Sequence, residues 1–326
     1  MLSATLIAGS IATDHLMHFP GKFSEQFLAE HLHKVSLSFL VDDLVVRRGG
    51  VAPNICYGIA QLGGSPVLIG AVGEDFDDYR GWLERHGVDC RFVHVSQTQH
   101  TARFVCTTDE EMCQIGSFYA GAMGEARNIE LKSAWDATGA DLAVISAYDP
   151  DAMVQHSTEC RERGYRFAAD PSQQIARMSG AQMIGLIEGA DLLFTNEYES
   201  SLLESKTGRS DADILAMVDV RITTLGKHGV DIAGRGLDAI HVDAAKEHAK
   251  LDPTGVGDGF RAGLLTARGW GLSWERSAQV GCLLATYVLE TVGTQEYQIK
   301  PAEFADRLAE SYGDDCAAEV LPHLAC

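Results

Sequence analysis

The chain has 326 residues, with 46 acidic and 26 basic side chains and a formal net charge of −20. Hydrophobic residues make up 46% of it, which excludes a disordered chain, because disorder requires few apolar residues together with high net charge. The acidic excess disfavours nucleic acids and anionic membranes as partners, since phosphates repel the average field of such a protein. At about 100–200 residues per domain, the length allows two domains or one large α/β domain.

Short apolar runs alternate with helix-length segments along most of the chain. Buried strands are predicted at 5–8, 67–72, 142–146, 167–169, 192–195 and 222–225. Helices are predicted at 52–62, 76–85, 150–163, 197–206, 258–268, 273–292 and 301–312. This alternation predicts an α/β fold in which helices cover both faces of a mostly parallel sheet.

Two segments, 13–48 and 91–122, interrupt this order with β-type alternation, as in the runs that begin at Val35 and Ala102. No linker rich in Pro, Gly or Ser separates them from the rest of the chain. We interpret them as insertions that meet to form a small β-sheet lid. The large α/β nucleotide-binding domain then comprises residues 1–12, 49–90 and 123–326.

The eight cysteines include no Cys-x-x-Cys pair, so neither a zinc ribbon nor a thioredoxin-type centre is predicted, and reduced thiols in the cytoplasm are expected. No signal peptide is predicted at the N-terminus, and no apolar window of about 18 residues predicts a membrane span. The histidines at 15, 18, 31 and 33 have no completing ligands at metal-site spacing.

The most informative segment is Leu251-Asp-Pro-Thr-Gly-Val-Gly-Asp-Gly-Phe-Arg-Ala-Gly, which passes from a turn into an amphipathic helix. Gly255 and Gly257 remove side chains where backbone N–H groups must approach a ligand, and the first helical turn offers free N–H donors to an anion. Asp258 suits a base that takes a proton from a hydroxyl group while the amides bind a transferred phosphoryl group. For Gly-x-Gly-Asp alone, an ordinary glycine turn with an Asp N-cap is the alternative.

The full string resembles the Asp-Thr-x-Gly-Ala-Gly-Asp signature of ribokinase-like (PfkB-type) carbohydrate kinases, with Pro253 and Val256 where the family has Thr and Ala. Four further segments resemble family motifs in the right order: Arg48-Gly-Gly-Val-Ala-Pro-Asn54, Gly70-Ala-Val-Gly-Glu-Asp75 preceded by Gly63-Gly64, Asn196-Glu-Tyr-Glu199 and Thr223-Thr-Leu-Gly-Lys-His-Gly229. The resemblance covers almost the whole chain and implies a three-layer α/β sandwich, with a mostly parallel central sheet and a small β-sheet lid.

The resemblance also implies roles for these motifs. Asp258 is expected to be the catalytic base, and the anion hole is formed by the N–H groups of Gly255, Val256 and Gly257. The residues expected to bind ATP are Asn196, Glu199, Thr224, Gly226, Gly229 and Gly257. Glu199 would act on Mg²⁺ through ordered water, and Asp252 with the loop 291–295 resembles a site for a monovalent cation such as K⁺.

An acceptor site is expected at Gly9-Ser-Ile-Ala-Thr-Asp14, because in the family an Asp at this position accepts hydrogen bonds from sugar hydroxyls. Its two carboxylate oxygens match a vicinal diol, although a turn Asp that caps its own backbone is the alternative. The residues expected to complete the acceptor site are Ser10, Gly49, Gly50 and Asn54.

Four runs, 9–17, 36–43, 100–104 and 170–174, resemble bacterial adenosine kinases of the actinobacterial kind. The implied reaction is ATP + adenosine → AMP + ADP. Phe104 and Phe118 are expected to stack on the purine, although a lone aromatic residue in a strand is more often a core residue. Arg177 is expected near the acceptor or the transferred phosphate.

Two other functions remain open. A kinase of this family could act on another sugar or nucleoside, such as ribose, inosine or guanosine. A non-catalytic nucleoside sensor is disfavoured because Asp258 and its glycines are intact. The chain lacks a Walker-type loop, a Gly-x-Ser-x-Gly elbow and a dinucleotide fingerprint after the first strand, and the resemblance implies a homodimer formed through the lid sheet.

Overall fold

The computed structural model describes residues 3–26 and 37–324. Within these residues the strands are β1 (Ala4–Ala8), β2 (Ala12–His18), β3 (Asp43–Gly49), β4 (Ser65–Ile69), β5 (Ala71–Val72), β6 (His94–Val95), β7 (Ala102–Thr108), β8 (Gln114–Tyr119), β9 (Leu142–Ile145), β10 (Phe167–Ala169), β11 (Leu192–Asn196), β12 (Val220–Thr224), β13 (Val230–Gly234) and β14 (Leu237–Val242). The α-helices in the same residues are α1 (Phe23–Gln26), α2 (Val51–Gln61), α3 (Asp77–Arg85), α4 (Leu131–Thr138), α5 (Pro150–Arg163), α6 (Gly180–Ile187), α7 (Glu197–Thr207), α8 (Asp211–Met217), α9 (Val256–Gly269), α10 (Trp274–Leu289), α11 (Pro301–Tyr312) and α12 (Asp314–Leu324).

The central sheet has the strand order β14-β13-β12-β11-β10-β9-β1-β4. Its strands from β4 to β12 are parallel, and β13 and β14 extend it by antiparallel pairing. Leu6 and Ile7 are both fully buried, and as neighbours in one strand they point into separate hydrophobic clusters on opposite faces of the sheet. Helices α2, α3 and α9 to α12 pack on one face and α4 to α8 on the other. The predicted three-layer sandwich is therefore confirmed.

A separate sheet has the order β3-β2-β7-β8, in which β2 and β7 are parallel and the outer pairs are antiparallel. It joins strands from both predicted insertions, as expected. The strand predicted from Val35 is wrong in its described part, because 37–41 has no regular structure and the strand begins at Asp43. The apolar side chains there pack locally instead: the Phe39 ring lies 5.0 Å from that of Phe23. Residues 35 and 36, and the histidines at 31 and 33, lie outside the described residues.

Two helices that carry sequence motifs, α2 and α9, pack closely against each other on one face of the central sheet. A Cβ at Gly58 in α2 would lie 2.6 Å from Cβ of Ala262 in α9, so the helices could not approach this closely with a larger residue at 58. Asn54 and Asp258 each lie one helical turn earlier, at the same end of this contact. The packing of α2 against α9 therefore brings two distant motifs together.

The cysteines in the described residues are free thiols, and all but Cys113 are buried. In residues 3–26 and 37–324, no helix has the length and apolar character needed to cross a membrane.

Candidate active site

The glycine-rich segment 252–258 forms the turn that leads into α9. Gly255 precedes the helix with φ +77°, and no side chain of the described residues caps this N-terminus. A Cβ at Gly255 would lie 2.8 Å from Cγ2 of Thr294, so this left-handed position requires glycine. The first N–H groups of an α-helix have no partner within it, and the helix dipole adds partial positive charge. The turn is therefore suited to bind an anion.

Asp258 lies in the first turn of α9, beside these N–H groups. Its Oδ2 accepts a hydrogen bond of 2.9 Å from Nδ2 of Asn54. Burial raises the pKa of Asp258 to about 7, although the charge of Arg261 and the bond from Asn54 act in the opposite direction. A carboxyl group with a pKa near neutrality is suited to take a proton from a hydroxyl group.

A buried ion pair lies behind the anion-binding turn. Nη2 of Arg261 donates to Oδ1 of Asp170 at 2.5 Å, and Ser146 Oγ donates to the other carboxylate oxygen at 3.0 Å. A Cβ at Gly257 would lie 2.8 Å from Nη1 of Arg261, so the glycine leaves room for the guanidinium group. Arg261 is not among the site residues predicted from the sequence. Its spacing of three residues from Asp258 places the two on one helix face, and this could have signalled it.

The turn between β1 and β2 and the end of β3 before α2 form the predicted acceptor region. Gly50 has φ +96°, and a Cβ there would collide with the carbonyl oxygen of Ser10. Ser10 Oγ accepts a hydrogen bond of 3.2 Å from the N–H group of Val51. A Cβ at Gly49 would lie 3.2 Å from Oδ2 of Asp14, so the Asp14 carboxylate rests against this glycine. Burial raises the pKa of Asp14, whereas neighbouring positive charge lowers it.

Asp14 lies in a row of side chains that crosses the small sheet. Arg47 and Phe104 are its partners on the two neighbouring strands, and Phe118 is the partner of Phe104. Residues directly opposite one another share a face of the sheet, so this face carries a carboxylate beside two aromatic rings. A Cβ at Gly116 would lie 3.0 Å from the Phe104 ring, which therefore lies directly beside this glycine. Phe118 is 53% exposed.

Arg47 lies between the acceptor region and the turn before α9. Nη1 of Arg47 is 3.2 Å from the position of a Cβ at Gly293, and its charge lowers the pKa of both Asp14 and Asp252. Asp252 accepts hydrogen bonds from the N–H groups of Thr254 at 2.9 Å and Gly293 at 3.2 Å. These bonds hold the pKa of Asp252 below its usual range although burial alone would raise it. Asp252 thus joins the glycine turn to the loop 291–295.

The residues expected to bind nucleotide lie at the carboxyl ends of neighbouring strands. Asn196 and Glu199 form a capping box at the start of α7, in which each side chain accepts the other's backbone N–H at 2.8 Å. Thr224 is the strand partner of Asn196, and the turn that follows contains Gly226 and Gly229. Burial raises the pKa of Glu199. A local capping function thus accounts for part of the Asn-x-x-Glu pattern.

The sequence matches the pfkB family of carbohydrate kinases over residues 13–301. The chain belongs to this family.

Two nucleoside kinases are similar to the chain over nearly its whole length. The ligand-free nucleoside kinase of Burkholderia thailandensis is 34% identical, with a TM-score of 0.85, and the match covers 93% of this chain and 99% of that one. The structure of that enzyme in complex with inosine is 32% identical, with a TM-score of 0.82 and coverage of 95% and 99%. The nucleoside kinase of Methanothermobacter thermautotrophicus is 27% identical over 312 residues, which are 94% of this chain and 96% of that protein.

The predicted family and the general activity of this pfkB-family kinase are thereby confirmed: it is an ATP-dependent kinase of carbohydrates or nucleosides. These relatives do not show the narrower prediction, that the chain is an adenosine kinase of the actinobacterial type. They are named nucleoside kinases, and one was solved with inosine.

Not every residue predicted for the kinase site joins it. Arg177 is exposed, and among the described residues no hydrogen bond or ion pair connects it to the other site residues, so its role stays a prediction. Arg47 and Arg261 are the cations that lie next to the predicted acidic residues. In the described part of the chain, no group of three or more His, Cys, Asp and Glu side chains is arranged to hold a metal ion. The cation roles of Glu199 and Asp252 stay predictions.

Proposed function

We propose that the kinase transfers the γ-phosphoryl group of ATP to the 5′-hydroxyl group of adenosine. The observation that carries this proposal is the hydrogen bond from Asn54 to Asp258, beside the N–H groups in the first turn of α9. The small sheet adds a carboxylate, Asp14, on one face with the rings of Phe104 and Phe118. A ribose diol matches the carboxylate, and a purine matches the aromatic faces.

In this mechanism Asp258 takes the proton of the 5′-hydroxyl group as the hydroxyl oxygen attacks the γ-phosphorus. The new O–P bond gives AMP. The bond from the γ-phosphorus to the β,γ-bridging oxygen breaks, and ADP leaves with that electron pair. The N–H groups of Gly255, Val256 and Gly257 bind the charge on the transferred group, with the guanidinium of Arg261 behind them.

Mg²⁺ would be held mainly by the ATP phosphates and, through water, by Glu199. This donor set fits the ion, which commonly binds one or two carboxylates together with substrate phosphates. When bound, it neutralises charge on the phosphates. For K⁺ or another monovalent cation, Asp252 and the loop 291–295 are the residues we propose.

Adenosine is proposed on the sequence resemblance, and a second acceptor is favoured by the inosine complex of the Burkholderia thailandensis enzyme. A coupled assay of ADP release with adenosine, inosine, guanosine and ribose separates them. We expect the highest kcat/KM for adenosine. A kcat/KM for inosine or guanosine about tenfold above that for adenosine would contradict our assignment.

Asp258→Asn is the matched control for this assay, because it keeps the size and most hydrogen bonds of the side chain. We expect turnover to fall by at least about a hundredfold, as removal of a general base requires, while ATP still binds. Activity within about tenfold of wild type would show that Asp258 is not the base. ATP binding without turnover on any acceptor would favour the sensor instead.

We also propose that the segments 13–48 and 91–122 close over the acceptor as a lid, and that two lids pair in a homodimer. The face of the small sheet opposite Asp14 carries exposed apolar side chains: Leu44, Val46, Ile115 and Tyr119. Such patches mark interaction sites. Light scattering after size exclusion should give a dimer mass, and Val46→Lys should shift it to the monomer. A wild-type monomer at micromolar concentration would contradict the dimer.

A further inference from the structure

A continuous set of buried hydrogen bonds connects Asp258 to the backbone of Gly49 in the acceptor region. Asn54 Nδ2 donates to Asp258 Oδ2 at 2.9 Å, and Gln295 Nε2 donates to Asn54 Oδ1 at 3.0 Å. The same Gln295 nitrogen donates to the hydroxyl of Tyr79 at 2.6 Å, and that hydroxyl donates to the carbonyl oxygen of Gly49 at 2.9 Å. Asn54, Gln295 and Tyr79 are at most 6% exposed.

Which group donates in each of these hydrogen bonds follows from the Gly49 carbonyl at one end of the set. A carbonyl oxygen can only accept, so the hydroxyl of Tyr79 must donate to Gly49. Burial raises the pKa of Tyr79 well above its ordinary value, so the proton stays on the hydroxyl. The Tyr79 oxygen is then an acceptor, which requires the nitrogen of Gln295 to face it. The second hydrogen of that nitrogen requires Asn54 to present its oxygen, and the Asn54 nitrogen is left to face Asp258.

The amide of Gln295 is held through its nitrogen alone. Its Oε1 is buried and has no hydrogen-bond partner among the described residues. An unpaired buried carbonyl is unfavourable, so nothing on the carbonyl side explains this orientation. The two hydrogen bonds that the Gln295 nitrogen donates explain the orientation.

We infer that Gln295 and Tyr79 are positioning residues, which fix the Asn54 amide with its nitrogen toward Asp258 and so keep the carboxylate available as the base. The inference rests on the proposed role of Asp258. Neither residue is expected to touch substrate. Without this support the Asn54 amide could turn over and present its oxygen to Asp258, which favours a protonated carboxyl group.

The same hydrogen bonds connect Asp258 to the acceptor region. Gly49 is the residue against which the Asp14 carboxylate rests. A shift of the Gly49 carbonyl is therefore coupled through Tyr79 and Gln295 to the Asn54 amide. The binding of a ribose at Asp14 and the state of the base at Asp258 would be linked without direct contact.

The pH dependence of turnover separates this role from simple structural damage. The titratable and charged groups that face Asp258 are Arg261 on α9, Asp170 after β10, and Tyr297. All of them are retained in the variants below. Asn54 is the neutral group whose hydrogen bond favours the charged form, and its loss would raise the apparent pKa of the base by about one unit.

The test is the profile of kcat against pH, from about pH 5.5 to 9.5, for wild type and Gln295→Met. Met fills the same space but cannot donate to Asn54. We expect the midpoint of the acidic limb to rise by about one pH unit, so that kcat falls about eightfold at pH 6.5 and recovers to within about twofold at pH 9. The KM for nucleoside should stay within about twofold.

Tyr79→Phe provides a second variant, and Tyr57→Phe is its matched control. Tyr57 is also a buried tyrosine whose hydroxyl donates to a backbone carbonyl, that of Tyr297 at 2.8 Å. In the described part of the chain, no hydrogen bond leads from this hydroxyl to Asn54. We expect the midpoint to rise in Tyr79→Phe and to stay unchanged in Tyr57→Phe. If Gln295→Met does not fold, as judged by its Tm, the comparison of the two tyrosine variants decides.

An unchanged midpoint in a folded Gln295→Met, or a loss of kcat that is equal at all pH values, would overturn the inference. An equal shift in both tyrosine variants would overturn it as well. These outcomes are distinct from failure of the proposed function, which is measured by the activity of Asp258→Asn.

Discussion

Replacing Asp258 by Asn should stabilise the protein above pH 7 although it removes the base. Burial raises the pKa of Asp258 from its ordinary value of 3.8 to about 7. Between these two values the native protein keeps a proton that the unfolded chain has lost. The wild type therefore loses stability as the pH rises through this window, and Asn, which stays neutral, avoids the loss.

The size of the effect follows from the shift. At about 1.4 kcal/mol per pH unit, a shift of roughly three units corresponds to about 4 kcal/mol as an upper bound. The side chain is partly exposed in the cleft, and solvent screens its charge, so we expect about 1–2 kcal/mol. For a chain of this length that is a rise in Tm of about 1.5–3 °C. The side-chain oxygen of Asn can still accept the bond from Asn54.

The assay is thermal unfolding of wild type and Asp258→Asn at several pH values. We expect nearly equal Tm values at pH 4, a difference that grows up to about pH 7, and a plateau above it. A difference that is independent of pH would refute ionisation as its cause. A variant less stable than wild type at pH 8 would refute the reasoning as a whole.

Three further substitutions test neighbouring features. Asp252→Asn should lower the Tm at pH 8 and lose this effect as the pH falls below about 4, because the pKa of Asp252 is depressed by hydrogen bonds from backbone N–H groups. Arg261→Met leaves Asp170 buried and unpaired, so urea unfolding should show a loss of about 3–5 kcal/mol, and a loss below about 1 kcal/mol would contradict it. Gly116→Val should displace the Phe104 ring and raise the KM for adenosine about tenfold with little change for ribose, and equal effects on both acceptors would contradict stacking.

The elements that the sequence predicts best carry both a continuous apolar pattern and terminal signals. Helix α5 coincides with its predicted range, since Asp149 caps its start, Pro150 is its first residue and Gly164 follows its end. Helices α6 and α8 are not predicted, because each has only seven or eight residues and is stabilised by a capping box at its start. The alternation from Val35 predicts a strand that is wrong over 37–41, because alternation does not say whether a neighbouring strand is available.

Some residues of the candidate site can likewise be predicted from the sequence, and others cannot. Residues within one motif, such as Gly255 to Asp258, are predictable because one turn and one helix end place them. The contact from Asn54 to Asp258 spans 204 positions and depends on how α2 packs on α9. No periodicity within either helix specifies that packing. The roles of Gln295 and Tyr79 could not be predicted for the same reason, because they depend on hydrogen bonds between separate elements.

The net charge of −20 makes the binding of ATP depend on groups other than surface cations. Around the cleft, carboxylates outnumber guanidinium groups: Asp14, Asp170, Asp252, Asp258 and Glu199 face Arg47 and Arg261. Arg261 is also neutralised by Asp170, so the phosphates rely on neutral N–H groups and on a divalent cation. We therefore expect the Kd for ATP, measured by calorimetry, to be at least about tenfold higher in EDTA than with Mg²⁺. Equal affinity in the two conditions would mean that the protein supplies the compensating charge itself, from a cation outside this cleft.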